Sequence, residues 1–164
     1  RREVLKWLSN IGYEKTQRRH FMKHMKGTGQ WLLDDPLFLN WQHSQESSIL
    51  WCHGGPGAGK TILASLVTDT FSKMCPAGSG MALCFLFCNY KEAVEPETYI
   101  RTLIKQLSCQ IKVLPYELVD LYDKHFNDAT EPSMAELQDV FVVISNLFRQ
   151  TLLVIDALDE CTSQ

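Results

Sequence analysis

WCHGGPGAGKT, Trp51–Thr61, is the stretch on which the reading of this chain turns. Glycine fills four of the six positions from Gly54 to Gly59, and Lys60 and Thr61 follow directly. The spacing is that of GxxxxGK[ST], with both anchors in place. The composition has a chemical reason. A run of phosphates is best held by several backbone N–H groups aimed into one concavity. That needs backbone conformations and a close approach that side chains would block. Where the loop enters a helix, the first free N–H groups and the positive end of the helix dipole face the anion. Lys60 then supplies a point charge for the β- and γ-phosphates, and Thr61 a hydroxyl for Mg²⁺. Gly54, Gly55, Pro56, Gly57, Ala58, Gly59, Lys60 and Thr61 are therefore the candidate nucleotide-binding residues.

The flanks fit this loop. Residues 48–53 are mostly apolar β-formers bounded by Gly54, which predicts a strand. From Thr61 to about Met74, Leu63, Leu66, Val67 and Phe71 share one helical stripe. CPAGSG (75–80) reads as a loop, and MALCFLFCNY (81–90) as a second strand. That strand is apolar on both faces, as a buried parallel strand should be. Ile100, Leu103, Ile104, Leu107 and Ile111 keep helical spacing. Pro115 breaks the pattern, and a helix resumes over 118–126. Ser133-Met-Ala-Glu136 is a capping box and predicts a helix with Leu137, Val140, Phe141, Ile144 and Leu147 on its buried face. TLLVIDAL (151–158) is a third apolar strand. Ahead of the loop, residues 3–26 read as helical with a break near Gly12, GTGQ (27–30) as a loop, and Pro36 as the start of a short helix. Strand, helix, strand, helices, strand predicts an α/β fold whose parallel sheet is flanked by helices.

Ligands of open α/β sheets sit outside the C-terminal ends of the strands, and the last apolar run delivers Asp156 to such an end. An acid there can hold Mg²⁺ directly or through water. Asp159 and Glu160 follow in the turn, near enough to polarise an attacking water. Thr61 and Asp156 are thus expected to converge on one Mg²⁺.

The rest of the composition narrows the class. The chain has 164 residues, 45% of them hydrophobic and 21% charged, ordinary for a soluble domain with room for a core. Its longest apolar runs fall short of the roughly 20 residues of a membrane span, and the N-terminus has no secretory pattern, so a cytoplasmic location is expected. There is no CxxC among the six cysteines. Cys84 and Cys88 would lie about 13 Å apart on a strand, too far to share one ion, and reduced, mostly buried thiols are expected. The net charge of −3 hides an asymmetry: residues 1–26 carry eight Lys/Arg and two Asp/Glu. This basic arm lacks interleaved aromatics for base stacking, so nucleic acid is not an expected partner. It reads instead as a helical connector to an upstream domain. His20 and His24 fall one turn apart with no third ligand near, a helix face rather than a zinc site. Residues 1–44 are taken as this connector and 45–164 as the N-terminal part of a nucleotide-binding domain. Both ends read as cut, so the chain is expected to be part of a longer polypeptide.

The signature LVIDALDE (153–160), with a small residue after the first Asp and an Asp-Glu pair one apolar residue later, resembles that of NACHT ATPases, the STAND class of P-loop switch proteins. The resemblance is nearest to the nephrocystin-3-like N-terminal type of large multidomain fungal proteins. It extends to GTGQWLL and FLNW before the loop and to the stretch from CFLFCNYKEA to YIRTLIKQLSCQI after it. The resemblance implies a P-loop NTPase fold with a Walker A loop at 54–61 and a Walker B strand ending at Asp156, after which the domain is truncated. It implies ATP and Mg²⁺ as cofactors, with GTP left open. Lys60 would bind the β/γ-phosphates, Thr61 and Asp156 the Mg²⁺, and Asp159 or Glu160 would activate water. The segment before the first strand would wall the adenine, making Thr28, Gly29 and Trp31 candidates for base contact, with Trp31 equally readable as core. The family's strand between those at 48–53 and 151–158 would be encoded after Gln164, so these two are expected to leave a gap or pair abnormally.

The function implied is the ATP/Mg-binding switch core of a signal-transducing NTPase, hydrolysing slowly and only in the full-length protein. Its partners would be other domains of the same chain and, on activation, further copies of itself. A nucleotide-binding oligomerisation scaffold that never hydrolyses is the alternative. A small-molecule kinase is a third reading, against which the acidic character of 93–148 stands. Arg101 and Arg149, the arginines after the loop, are expected on helix surfaces, Arg149 capping the C-terminal end of its helix.

Overall fold

The computed structural model describes residues 1–76, 78–89 and 94–160, without the side chain of Glu160. Among the described residues, eight helices and two strands run in the order α1 (Arg2–Leu8), α2 (Tyr13–Phe21), α3 (Gln30–Leu33), α4 (Pro36–Gln42), α5 (Lys60–Met74), β1 (Met81–Phe87), α6 (Pro96–Cys109), α7 (Tyr116–Asn127), α8 (Met134–Ser145) and β2 (Gln150–Asp156), with a short 3-10 turn at Leu158–Glu160. The fold is α/β. β1 and β2 form a parallel sheet in the register Met81↔Gln150 to Phe87↔Asp156. The ladder extends beyond both strands: Arg149 N–H donates to Gly80 C=O at 2.7 Å, and Cys88 N–H to Asp156 C=O at 3.1 Å.

Alternation along the strands assigns the two faces. Ala82, Cys84 and Leu86 enter one core with Val4 and Leu8 of α1, Leu103, Ile104 and Leu107 of α6, and Leu137, Val140 and Ile144 of α8. Leu83 and Leu152 enter the other, with Val67 and Phe71 of α5, Phe38 of α4 and Leu32 of α3. Phe85 and Val154 lean on that second core. The α5 side is therefore the face on which Phe87 and Asp156 stand at the end of the sheet. The first turn of α4 is capped by Asp35, whose Oδ1 accepts from Leu37 N–H at 2.8 Å. The capping box of α8 forms as the sequence predicts. Its Glu136 also accepts from Lys124 Nζ of α7 at 2.6 Å. That ammonium and the Ser133 donors hold the Glu136 carboxyl far below the usual carboxylate range.

The outer edge of β1 is closed by side chains. Gln106, 3% exposed, accepts from Phe85 N–H at 3.0 Å through Oε1 and donates to Phe85 C=O at 2.8 Å through Nε2. One helical turn on, Gln110 repeats the pair with Leu83, at 3.1 and 2.7 Å. Four helical residues rise about 6 Å and two strand residues advance about 6.6 Å, so an i,i+4 glutamine pair can follow a strand edge. These amides occupy the groups with which an edge strand would recruit another chain.

Several expectations need correction. Residues 48–53 form no strand: among the described residues β2 pairs with β1 alone, and 48–53 pairs with neither. Ile49 is 91% exposed, and only Leu50 leans on the α5 core. β-propensity is realised where a strand partner and a buried face exist, and here neither is offered. The second strand ends at Phe87, and Tyr90 lies outside the described residues. Gln30, placed in a loop, opens α3. Arg149 does not cap α8, which ends at Ser145, but starts the β2 ladder. Arg101 does more than face solvent: its guanidinium lies 4.8 Å over the Trp7 ring and also bonds Trp7 C=O and Glu131. The thiols of Cys52, Cys75, Cys84 and Cys109 are free, and burial pushes that of Cys84 up to about 12. Cys88, in contrast, is disulfide-bonded. Among the described residues no helix is long and apolar enough to cross a membrane.

Candidate functional site

Each half of the site grows from a local rule. Gly57 and Gly59 have φ of +79° and +84°, the region closed to most L-residues, and Gly59 is the N-cap of α5. Ala58 N–H closes the turn onto Gly55 C=O at 3.2 Å. The loop is exposed throughout, and Lys60 folds back across it, Nζ donating to Gly54 C=O at 2.8 Å and to Gly55 C=O at 3.1 Å. The ammonium thus lies over the exposed loop.

The other half is the end of β2. Asp156 is 8% exposed and is the cross-strand neighbour of Phe87. Its side chain makes no hydrogen bond or ion pair among the described residues. The residue is buried as a whole, yet its oxygens are not among the fully buried side-chain atoms that lack a partner, and it lines a cavity. The chain then turns sharply: Ala157 takes φ +55°, a left-handed conformation costing an alanine about 1 kcal/mol, and leads into the 3-10 turn that carries Asp159.

The halves meet at a cavity of about 310 Å³. Thr61 borders it from α5 and Asp156 from β2, with Phe87 at the end of β1 and Cys88 just past it. The rest of the loop, Gly54 to Lys60, lies outside this lining, as does Asp159. Glu160 is outside the described side chains. A hydroxyl and a carboxylate are hard oxygen donors of the kind Mg²⁺ takes. Mg²⁺ usually keeps waters and substrate phosphate oxygens and is rarely caged by protein alone, so two protein oxygens suit it. Among the described residues no group of three or more His, Cys, Asp or Glu converges as a metal centre would require.

The fourth wall is one that sequence reasoning missed. Tyr13, Thr16, Arg19 and His20 of α2 line the same cavity. α2 is fixed there by an edge-on contact of Tyr13 with Phe85 (5.8 Å) and by His20 stacked on Phe87 (5.2 Å). Gln17 Nε2 also donates to Ser65 C=O of α5 at 3.3 Å. Burial and Lys23 push the His20 imidazole down from its ordinary value, while the nearby Asp156 pulls the other way. The available signal was the amphipathic placement of Tyr13, Thr16 and His20 at helical spacing within the basic arm. His24, read as sharing a face with His20, instead bonds Thr28 C=O at 2.7 Å. Of the base-contact candidates, Trp31 is 64% exposed, which removes its core reading. Gly29 is pressed against α5, where a Cβ would stand 2.8 Å from Leu66 Cδ2.

Comparison with known proteins adds the lineage. The chain is 30% identical over 150 residues to the vegetative incompatibility protein HET-E-1 of Podospora anserina, an alignment covering 85% of this chain and 10% of that protein. It therefore spans about a tenth of the relative's length. No solved structure matches the chain. The family described as nephrocystin 3, N-terminal, matches residues 27–164. The chain belongs to this nephrocystin 3 N-terminal family and forms a NACHT-like region of the kind carried by that large fungal protein.

Proposed function

We propose that the chain is the Mg·ATP-binding switch core of a NACHT-type signalling protein, with a P-loop NTPase fold. The observation that carries this reading is the cavity that Thr61 and the buried Asp156 share, beside a glycine loop that opens a 15-residue helix. The loop N–H groups and the N-terminus of α5 bind the phosphates. Lys60 exchanges its two loop carbonyls for β/γ-phosphate oxygens, a charge-assisted replacement that favours the anion. Thr61 and Asp156 hold Mg²⁺, which when bound neutralises charge on the phosphates. Glu160 or Asp159 orients water. Thr28, Gly29 and Trp31 stand toward the base. Other domains of a longer protein, and further copies of it, read the bound state.

Hydrolysis is slow and belongs to the longer protein. A phosphate cradle and a metal do not by themselves exclude water, and the turn bearing Asp159 stands outside the cavity. Single-turnover release of γ-phosphate is the test. Release near background is expected for residues 1–164, rising in the full-length protein and falling again with Glu160→Gln. Sustained turnover by residues 1–164 contradicts this reading. Absence of release from the full-length protein identifies a non-hydrolysing scaffold, and label transfer to an acceptor identifies a kinase.

A further inference from the structure

The basic arm is built into the site. We propose that Arg19 of α2 is the cation that meets the terminal phosphate of a bound nucleoside triphosphate, so that the arm distinguishes triphosphate from diphosphate. This rests on the nucleotide reading above and deepens it. Arg19 lines the cavity that Thr61 and Asp156 border, and it makes no ion pair or hydrogen bond among the described residues. Arg101, by contrast, is committed to Trp7 and Glu131, and neither it nor Arg149 lines the cavity.

Position gives Arg19 its role. Phosphates seated on the first N–H groups of α5 place their metal-bearing end toward Thr61 and Asp156. Tyr13, Thr16, Arg19 and His20 of α2 line that same cavity. The helix is held there by Tyr13 on Phe85, His20 on Phe87 and Gln17 on α5, so its cation is presented from a fixed support. A planar guanidinium suits phosphate oxygens, which it can engage through two parallel N–H donors. A diphosphate, one phosphoryl shorter at this end, forgoes most of that contact. Occupancy by triphosphate would thereby tie α2, already packed on the end of the sheet, to the nucleotide as well. The arm, and whatever is attached to it, would sense which nucleotide is bound.

The test is equilibrium binding of Mg·ATP and Mg·ADP to the wild-type chain, Arg19→Ala, Arg19→Lys and Arg18→Ala. Arg18 is exposed on the same helix and does not line the cavity. Arg19→Ala is expected to weaken Mg·ATP roughly tenfold and Mg·ADP less than about threefold. Arg19→Lys should recover part of the loss, and Arg18→Ala should leave both affinities unchanged. Equal weakening of ATP and ADP, an equal loss in Arg18→Ala, or no loss in Arg19→Ala overturns the role of Arg19 while leaving the loop's reading intact. Wild-type chain that binds neither nucleotide overturns the nucleotide reading and this inference with it. Unchanged unfolding midpoints are expected of all the variants, since both arginines are exposed.

Discussion

Alanine at Lys60 is expected to lower the affinity for Mg·ATP by roughly ten- to a hundredfold, the worth of one charge-assisted contact to phosphate. Lys60 lies exposed at the first position of α5 and touches neither core, so the variant should fold. Its two bonds to Gly54 and Gly55 carbonyls are lost as well. A loop whose shape depended on them would then fail for a structural reason. Lys60→Arg separates the two effects. It keeps a cation and donors but carries a longer, planar group, so it should hold the loop yet fit the phosphates less well than lysine. Calorimetry with Mg·ATP checks both variants. Unchanged affinity in Lys60→Ala removes lysine from the phosphate site.

The largest effect on stability is expected at Gln106. Replacing it with alanine leaves Phe85 N–H and C=O without their partners at a position 3% exposed, a cost of about 1–3 kcal/mol for each group. Gln106→Ala should therefore destabilise the chain by about 2–6 kcal/mol. Gln110 makes the same pair of bonds to Leu83 but is exposed, and water can replace it. Gln110→Ala should cost no more than about 1.5 kcal/mol. Urea unfolding of the two variants against the wild type checks the difference. Equal costs would mean that the edge of β1 does not depend on the buried amide.

Much of this arrangement was legible in the sequence, and for physical reasons. The stripe through Val67 and Phe71 and the capping box at Ser133 are local patterns that form as read, and the apolar strands read at 81–90 and 151–158 form over the shorter spans 81–87 and 150–156. The strand-end rule accounts for Asp156 at the end of β2; Thr61 lines the same cavity although the segment before its loop forms no strand. What stayed hidden depended on partners distant in the chain. Residues 48–53 have strand composition, yet composition cannot say whether a neighbour will pair with them. Gln106 and Gln110 read as polar helix positions until β1 lies beside them. The basic arm read as a solvated connector because charge counts say nothing of what Tyr13 and His20 touch. Once those rings pack on Phe85 and Phe87, Arg19 becomes part of a wall. Asp159 and Glu160 were assigned from their place in the turn after Asp156 and from the resemblance. The turn that carries them keeps Asp159 out of the cavity lining.

The most direct measurement compares ATP binding to the wild-type chain and to Asp156→Asn, each in the presence of Mg²⁺ and of EDTA. Asparagine keeps the shape of the side chain at the end of β2 and removes its charge. If Thr61 and Asp156 form the metal-bearing half of one nucleotide site, Mg²⁺ should strengthen ATP binding by roughly tenfold or more in the wild type. In Asp156→Asn it should give little or no gain, while the affinity in EDTA stays the same or rises as a buried negative charge is removed. An equal Mg²⁺-dependent gain in both proteins, or no ATP binding by the wild type, would contradict the account.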